Sequence, residues 1–359
     1  MPQSQLIDGH PLLTGAVADS PLLAAYRGDV PSRRPVWFMR QAGRSLPEYR
    51  ETRAGTDMLD ACLTPELAAE ITLQPVRRYG VDAAIFFSDI VVPLKLAGLE
   101  VSIQPGIGPV FARPIRTMAD VEALPELDED FIRALTPVAQ AVALTTAQLG
   151  GTPLIGFAGA PFTLAAYMVE GKASRDHLGA RRLMAEAPDV WAGLAAWVAE
   201  VSGWFLRTQV LAGASAVQLF DSWAGSLSTA DYEKFCQAAS ARVFELVSDL
   251  PVPRVHFAAN GAHLLAPMAA TGATVMGVDY RLPLDEAVLE VGHLPLQGNI
   301  NPAYLTAPWE TLREHVDDVL MRGAHASGHV VNLGHGVPPD TDPDVLQRIV
   351  DHVHDAPVA

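Results

Sequence analysis

The sequence predicts an α/β fold, a single (β/α)8 TIM barrel with its active site at the C-terminal ends of the strands. Three observations lead there. Eight short runs rich in β-branched and aromatic residues recur along the 359-residue chain. Longer helical stretches separate them over about 300 residues, the pattern of a parallel sheet whose strands are buried on both faces. A glycine, polar or charged residue follows almost every run, where barrel enzymes place their chemistry.

In order, the runs are PVWFM (35–39), AAIFFS (83–88), PLIGF (153–157) and AVQLF (216–220), then RVHFA (254–258), ATVMGV (273–278), PLQGN (295–299) and HVVNL (329–333). Between them, residues 65–79 place Leu67, Ile71 and Val76 roughly on one helical face. Residues 190–211 do the same with Trp191, Leu194, Ala195, Val198 and Phe205. Thr64-Pro65-Glu66, Thr229-Ala230-Asp231 and Asp342-Pro343-Asp344 read as helix starts. Residues 99–114 read as a hairpin excursion after the second run. A doubly wound open sheet is the rival architecture, weakened because RQAGR after the first run is not the GxGxxG of a dinucleotide site. One catalytic domain over residues 20–359 is expected, preceded by a flexible tail at 1–19.

Composition narrows the function. A formal net charge of −16 argues against general nucleic-acid binding, which needs a basic face. The uncharged span 136–169 is interrupted by Pro137, Gly150, Gly151, Pro153, Gly156, Gly159 and Pro161, so helix, turn, strand and loop are expected there, not a membrane crossing. The first residues lack the basic start and apolar core of a signal peptide. Two distant cysteines, Cys62 and Cys236, suit a reducing cytoplasm. The seven histidines from His256 to His335 form neither HxH nor HExxH, so no metal site is expected.

Against that acidic background, Arg33, Arg34, Arg40, Arg44, Arg50 and Arg53 fall within 21 residues. Arginine's planar fork grips oxyanions with paired hydrogen bonds, so the cluster suits a ligand with several carboxylates or phosphates. The other reading is a solvated face neutralised by Glu48, Glu51, Asp57 and Asp60. The residues just past the runs favour a site: Arg40, Asp89, the turn at Gly159, Asp221 with Ser222, Asn260, Asp279, Asn299 and Gly334-His335-Gly336. Asp89 and Ser222 are equally readable as helix caps, and Tyr167 as a core residue. His335, between two glycines, has little to do in packing.

PVWFMRQAGR (35–44) resembles the first signature of the uroporphyrinogen decarboxylase family, and GFAGAPFTLAAYMVEG (156–171) resembles its second. LQPVRRYGVDAAIFFSDIVVPLKLAGLEV (73–101), QLFDSWAG (218–225) and NLGHGVPPDTDP (332–343) are similar to further family segments, in the same order. The resemblance runs from about residue 20 almost to the C-terminus. It implies a cytoplasmic, homodimeric barrel enzyme of haem and porphyrin biosynthesis, a lyase needing neither metal nor organic cofactor. The implied reaction removes the four acetate carboxyl groups of uroporphyrinogen III as CO2, giving coproporphyrinogen III. No nucleic acid or membrane partner is implied.

The matching positions make Arg40, Gln41, Ala42, Gly43, Arg44, Arg53, Asp89, Tyr167, Ser222 and His335 the expected substrate-binding set, with Asp89 and Arg40 catalytic. Uroporphyrinogen carries eight carboxylates, nearly all ionised at neutral pH, which accords with the arginine cluster. A buried carboxylate facing the pyrrole N–H groups would stabilise a cationic ring. Two other functions are open to such a chain. One is a non-catalytic tetrapyrrole-binding protein, which needs the arginines but not Asp89. The other is a corrinoid-dependent methyltransferase on the same barrel, disfavoured because neither cysteine sits in an HxC setting.

Overall fold

The computed structural model describes residues 6–358. Its strands, in chain order, are β1 (Ala84–Ile85), β2 (Val101–Gln104), β3 (Gly108–Phe111), β4 (Leu154–Gly159), β5 (Ala216–Phe220), β6 (Arg254–Phe257), β7 (Val275–Gly277), β8 (Leu296–Gln297) and β9 (His329–Val330). Seven of them form one parallel sheet in the order β1-β4-β5-β6-β7-β8-β9. Each strand after the first joins the edge left by its predecessor, and the sheet curls. Registers run from Ala84 opposite Leu154 to Gln297 opposite Val330. β4 is buried along its whole length, as its unbroken apolar sequence requires. β2 and β3 pair antiparallel as the expected hairpin.

Helices complete the α/β pattern. The helix Pro65–Tyr79 matches the expected span, starting on proline and ending at Gly80 with φ 62°. The helix Pro188–Leu211 begins two residues earlier than its apolar stripe suggests. Thr136–Leu149, β4 and Pro161–Glu170 divide the uncharged span, so its last part is helix as well as loop. Among the described residues no helix is long and apolar enough to cross a membrane. Two helix starts differ in detail from expectation. Ser228, not Thr229, caps Thr229–Phe235 by accepting the Asp231 N–H, and Thr64 makes no side-chain cap. Asp342 caps Pro343–Asp355 as expected, accepting from Asp344 N–H.

The first run, 35–39, is the main departure. It forms no ladder strand, only a parallel bridge between Val36 and Val331. Its donors explain this. Pro35 has no N–H, and Val36 N–H donates to Asp82 Oδ2 at 2.8 Å. Phe38 N–H donates to Gln41 Oε1 at 3.0 Å and Met39 N–H to Asn332 Oδ1 at 2.9 Å. Trp37 N–H alone reaches a backbone carbonyl, Val331 O, at 3.2 Å. Side chains have replaced most of the ladder. In return, Val331 N–H donates to Pro35 O and Asp82 N–H to Val36 O, each at 2.9 Å, so the run touches chain from both edges of the sheet.

Of the stretch read as a flexible tail, residues 1–5 lie outside the described residues. Residues 6–19 include the short helix Pro11–Thr14, and Val17 belongs to the core. His10 is buried, with Nε2 2.9 Å from Val210 O on the helix Pro188–Leu211. A buried histidine that finds a partner for its ring nitrogen anchors this part of the chain.

Asp82 carries the load of the first run. It is 4% exposed and accepts from Val36 N–H, from Arg33 at 2.8 Å and from His354 Nε2 at 2.8 Å. Asp82→Ala strands a buried backbone donor, so we expect a loss of about 2–3 kcal/mol in urea unfolding. Asp82→Asn, which keeps an acceptor for Val36, should lose about half as much. A stability for Asp82→Ala within about 0.5 kcal/mol of the parent contradicts this account.

Candidate active site

The turn after the first run is built on an unusual backbone. Arg40 has φ 62°, in the left-handed region that non-glycine residues seldom occupy. A Cβ on Gly336 would stand 2.6 Å from Arg40 Cδ, so the Arg40 stem lies directly on the Gly334-His335-Gly336 turn. Val337 N–H donates to Met39 O at 2.8 Å and ties the two turns together. Glycine at 336 is therefore a packing requirement of Arg40, and His335 is carried to the same place.

The arginine cluster divides in two. Arg33 pairs with Asp82, and Arg34 donates to Pro357 O at 2.6 Å; both hold the fold. Arg40, Arg44, Arg50 and Arg53 have no carboxylate within ion-pair distance among the described residues. The neutralised-face reading therefore fails on its named acids. Glu48 pairs with Arg78 at 2.6 Å, and Asp57 caps its own helix through Leu59 N–H. Arg53 lies over the Tyr49 ring at 5.5 Å, and that ring meets Phe87 edge-on at 5.8 Å. Phe87 is two residues before Asp89, so this contact sets the cationic turn beside the end of β1.

Asp89 follows β1 and is half-buried. Its Oδ1 accepts from Val91 N–H at 3.0 Å and so braces the turn ahead of the helix Val92–Leu96, but the N-cap of that helix is Val91 and not Asp89, which departs from the capping reading. No other hydrogen bond among the described residues reaches its side chain. The surrounding protein raises its pKa, opposed by the Val91 N–H and by the charge of Arg40. Tyr167, on the helix Pro161–Glu170, feels both neighbours. Burial first, then Asp89, pushes its hydroxyl up to about 12, with Arg40 acting the other way. The phenol thus stays an O–H donor throughout the working pH range. His335 is kept below the ordinary histidine value, first by burial and then by Arg40. Arg40 is the common electrostatic neighbour of Asp89, Tyr167 and His335.

Ser222 and His335 meet at a cavity of about 220 Å³ that is also lined by His177, Trp223, Asn260 and Arg281. The other expected residues divide by role. The side chain of Gln41 is fully buried, accepting from Phe38 N–H and donating to Ala83 O at 3.0 Å, so it braces the turn and offers nothing to a ligand. Ala42 and Gly43 are half-buried in that turn, where a Cβ on Gly43 would come 3.0 Å from Arg40 O. Asp279 takes Arg281 Nη1 at 2.6 Å and Asn260 N–H at 2.9 Å, while Asn299 Nδ2 donates to Asp279 O and Leu282 O. These two rim residues hold loops.

Three participants escaped the sequence reading. Trp223 lay inside QLFDSWAG without being singled out, and Arg281 and His177 carried no spacing signal. Asp221, a strand-end acid by position, points into the protein and is 0% exposed. Thr163 Oγ1 donates to its Oδ1 at 2.7 Å, and its Oδ2 has no partner. Burial pushes its pKa up to about 7, against the opposing hydrogen bond from Thr163. Among the described residues no three His, Cys, Asp or Glu side chains converge as a metal ion would require.

Comparison with known proteins places these features. The sequence model described as uroporphyrinogen decarboxylase (URO-D) matches residues 18–356. A uroporphyrinogen decarboxylase of Arthrobacter sp. (strain FB24) is 63% identical over 95% of this chain and 99% of its own length. That of Leifsonia xyli subsp. xyli (strain CTCB07) is 59% identical over 96% and 97%. Among solved structures, a methyltransferase from Methanosarcina mazei superposes with a TM-score of 0.77 at 19% identity, covering 94% of this chain and 98% of its own.

The buried Asp221 makes a signed prediction. Its pKa is raised above the ordinary 3.8, so the fold is strongest below that value and weakens as pH rises through about 7. Asp221→Asn removes the charge but keeps an acceptor for Thr163. Its stability relative to the parent should grow by about 3 kcal/mol between pH 5 and pH 8 in urea unfolding. A difference that stays flat with pH, or runs the other way, contradicts the assignment.

Proposed function

The chain belongs to the uroporphyrinogen decarboxylase family, and on that premise we propose how its site performs the family's reaction. It is a carboxy-lyase of porphyrin and haem biosynthesis, removing the four acetate carboxyl groups of uroporphyrinogen III as CO2 to give coproporphyrinogen III. The observation that carries the mechanism is an arginine turn lacking carboxylate partners together with one acid, Asp89, that feels the charge of Arg40 from that turn.

Decarboxylation leaves an electron pair on the acetate carbon, and a pyrrole can accept it. Protonating the ring carbon that bears the acetate creates an iminium-like cation. Loss of CO2 neutralises that cation into an exocyclic methylene. Reprotonation there and loss of the ring proton restore the aromatic pyrrole with a methyl group. Asp89, its second oxygen open, accepts hydrogen bonds from the pyrrole N–H groups and opposes the ring's positive charge. Such preorganised electrostatics are commonly among the largest catalytic contributions. Arg40, Arg44 and Arg53 clamp ionised carboxylates. Tyr167, Ser222 and neutral His335 hydrogen-bond peripheral arms. Gln41, Ala42 and Gly43 contribute through the turn backbone.

We also read the architecture as a closed (β/α)8 barrel with residues 35–39 as its first strand. The hydrogen bonds from that run to Val331 on one side and Asp82 on the other support closure. Residues 20–359 would form its one catalytic domain, working as a cytoplasmic homodimer. The methyltransferase likeness, at 19% identity, is one of fold. Burial drives the Cys62 and Cys236 thiols well above their ordinary pKa, so neither offers the thiolate a zinc-dependent methyl transfer needs.

Asp89→Ala and Asp89→Asn test the reading. Turnover should fall by about 10²–10³ in both, the scale of losing one preorganised stabiliser. Binding of coproporphyrinogen, which depends on the arginines, should fall by less than about tenfold in equilibrium titration. Arg44→Ala should raise KM and leave kcat within about threefold. Full turnover by Asp89→Ala would mean that the site is a carrier's, and that the acid serves only to turn the chain.

A further inference from the structure

Beside the arginines, three aromatic rings form a stack. The Tyr167 and Trp223 centroids are 3.8 Å apart with 29° between planes, and His177 and Trp223 are 4.2 Å apart at 17°. Two rings cannot share one face of the indole at such distances, so Trp223 is the middle ring. Behind it, Phe162 meets His177 edge-on at 6.3 Å. The His177 and Trp223 rings both line the cavity that holds Ser222 and His335.

A single hydroxyl holds the backbone of the residue that carries the middle ring. Thr163 stands one helical turn before Tyr167 and is fully buried. Its Oγ1 accepts from Trp223 N–H at 3.2 Å and donates to Asp221 Oδ1 at 2.7 Å. The backbone N–H can only donate, and an ionised Asp221 can only accept, so the hydroxyl relays between them. Asp221 is itself anchored by its N–H on Phe257 O at 2.8 Å, the last residue of β6. The chain Asp221–Thr163–Trp223 therefore links the ends of two strands to the helix that bears Tyr167. For stability alone the arrangement is poor. It buries a carboxyl group with no cation and one oxygen unpartnered, where an apolar pair does better.

We propose that Thr163 and Asp221 are positioning residues for the decarboxylation, locking Trp223 between Tyr167 and His177 and so aiming the Tyr167 hydroxyl and the Ser222 backbone at the substrate's peripheral carboxylates. The proposal rests on the decarboxylase reading. It assigns the lock to substrate binding and not to the chemical step, because the groups it aims, the Tyr167 hydroxyl and Ser222, meet peripheral carboxylates and not the reacting ring. Loosening it weakens ground state and transition state alike, which raises KM and spares kcat.

The test compares Thr163→Val, which keeps the shape and loses the hydroxyl, with Thr163→Ser, which keeps the hydroxyl. Trp223→Ala, at a partly exposed ring, removes the stack without touching the lock. With uroporphyrinogen III as substrate, Thr163→Val should raise KM about tenfold with kcat within about twofold, on the scale of one lost hydrogen bond. Thr163→Ser should restore the parent KM. Trp223→Ala should show the same KM rise, and both it and Thr163→Val should lose the near-ultraviolet circular dichroism of the stacked rings. A parent KM in Trp223→Ala, or in a folded Thr163→Val, overturns the proposal. So does a tenfold loss of kcat at constant KM. If Thr163→Val does not fold, Trp223→Ala decides. If the parent protein itself turns nothing over, the decarboxylase reading fails, and the dichroism of Thr163→Val against Thr163→Ser still tests the lock.

Discussion

The site depends on how ten residues, 35–44, are held without a strand ladder. Asp82, Gln41 and Asn332 take three consecutive-run donors, Val36, Phe38 and Met39, in place of neighbouring carbonyls. Asp82 and Asn332 come from distant parts of the chain, while Gln41 lies within the stretch and is itself tied to Ala83 O, so the run is pinned from outside and braced from within. Once it is pinned, Arg40 enters its left-handed turn, rests on Gly336 and comes under the influence of Asp89, Tyr167 and His335. Strain at a non-glycine residue of this kind persists only where its surroundings over-determine it. Here those surroundings are two turns tied by the Val337–Met39 hydrogen bond.

The same constraint shapes the electrostatics. An acidic protein of net charge −16 repels anions over most of its surface. Four arginines stay free of carboxylate partners, and two of the nearby acids are engaged elsewhere, Glu48 by Arg78 and Asp57 by a helix end. What remains is a local cationic rim, suited to a ligand with many carboxylates. Asp89 is the exception within that rim, and its raised pKa records the conflict between a confined carboxylate and the water it lacks. In the mechanism proposed above, the pyrrole N–H groups of the substrate resolve that conflict.

Much of this was legible in the sequence. Seven of the eight apolar runs became strands of one parallel sheet, because runs buried on both faces leave little doubt about their environment. Arg40, Asp89, Tyr167 and His335 were brought together, since turns after such runs, and the helix that follows the turn at Gly159, converge on one rim. What the sequence hid was decided by partners far away in the chain. Side chains usurped the ladder of the first run, and His10 docks part of the stretch expected to be a tail. Gln41 matched the motif and yet braces the backbone. Asp221 looked like Asp89 by position, but its side chain turns inward to Thr163. Trp223 and His177 gave no signal because stacking joins residues from separate loops.

The central claim is that this arginine rim and Asp89 decarboxylate a tetrapyrrole that supplies its own electron sink. The most direct measurement is an anaerobic incubation of the full-length protein with uroporphyrinogen III in excess chelator, with products oxidised and separated by carboxylate number. The account predicts successive appearance of hepta-, hexa-, penta- and tetracarboxylate species. Saturable binding with all eight carboxylates retained would contradict it and leave a binding protein in the place of an enzyme.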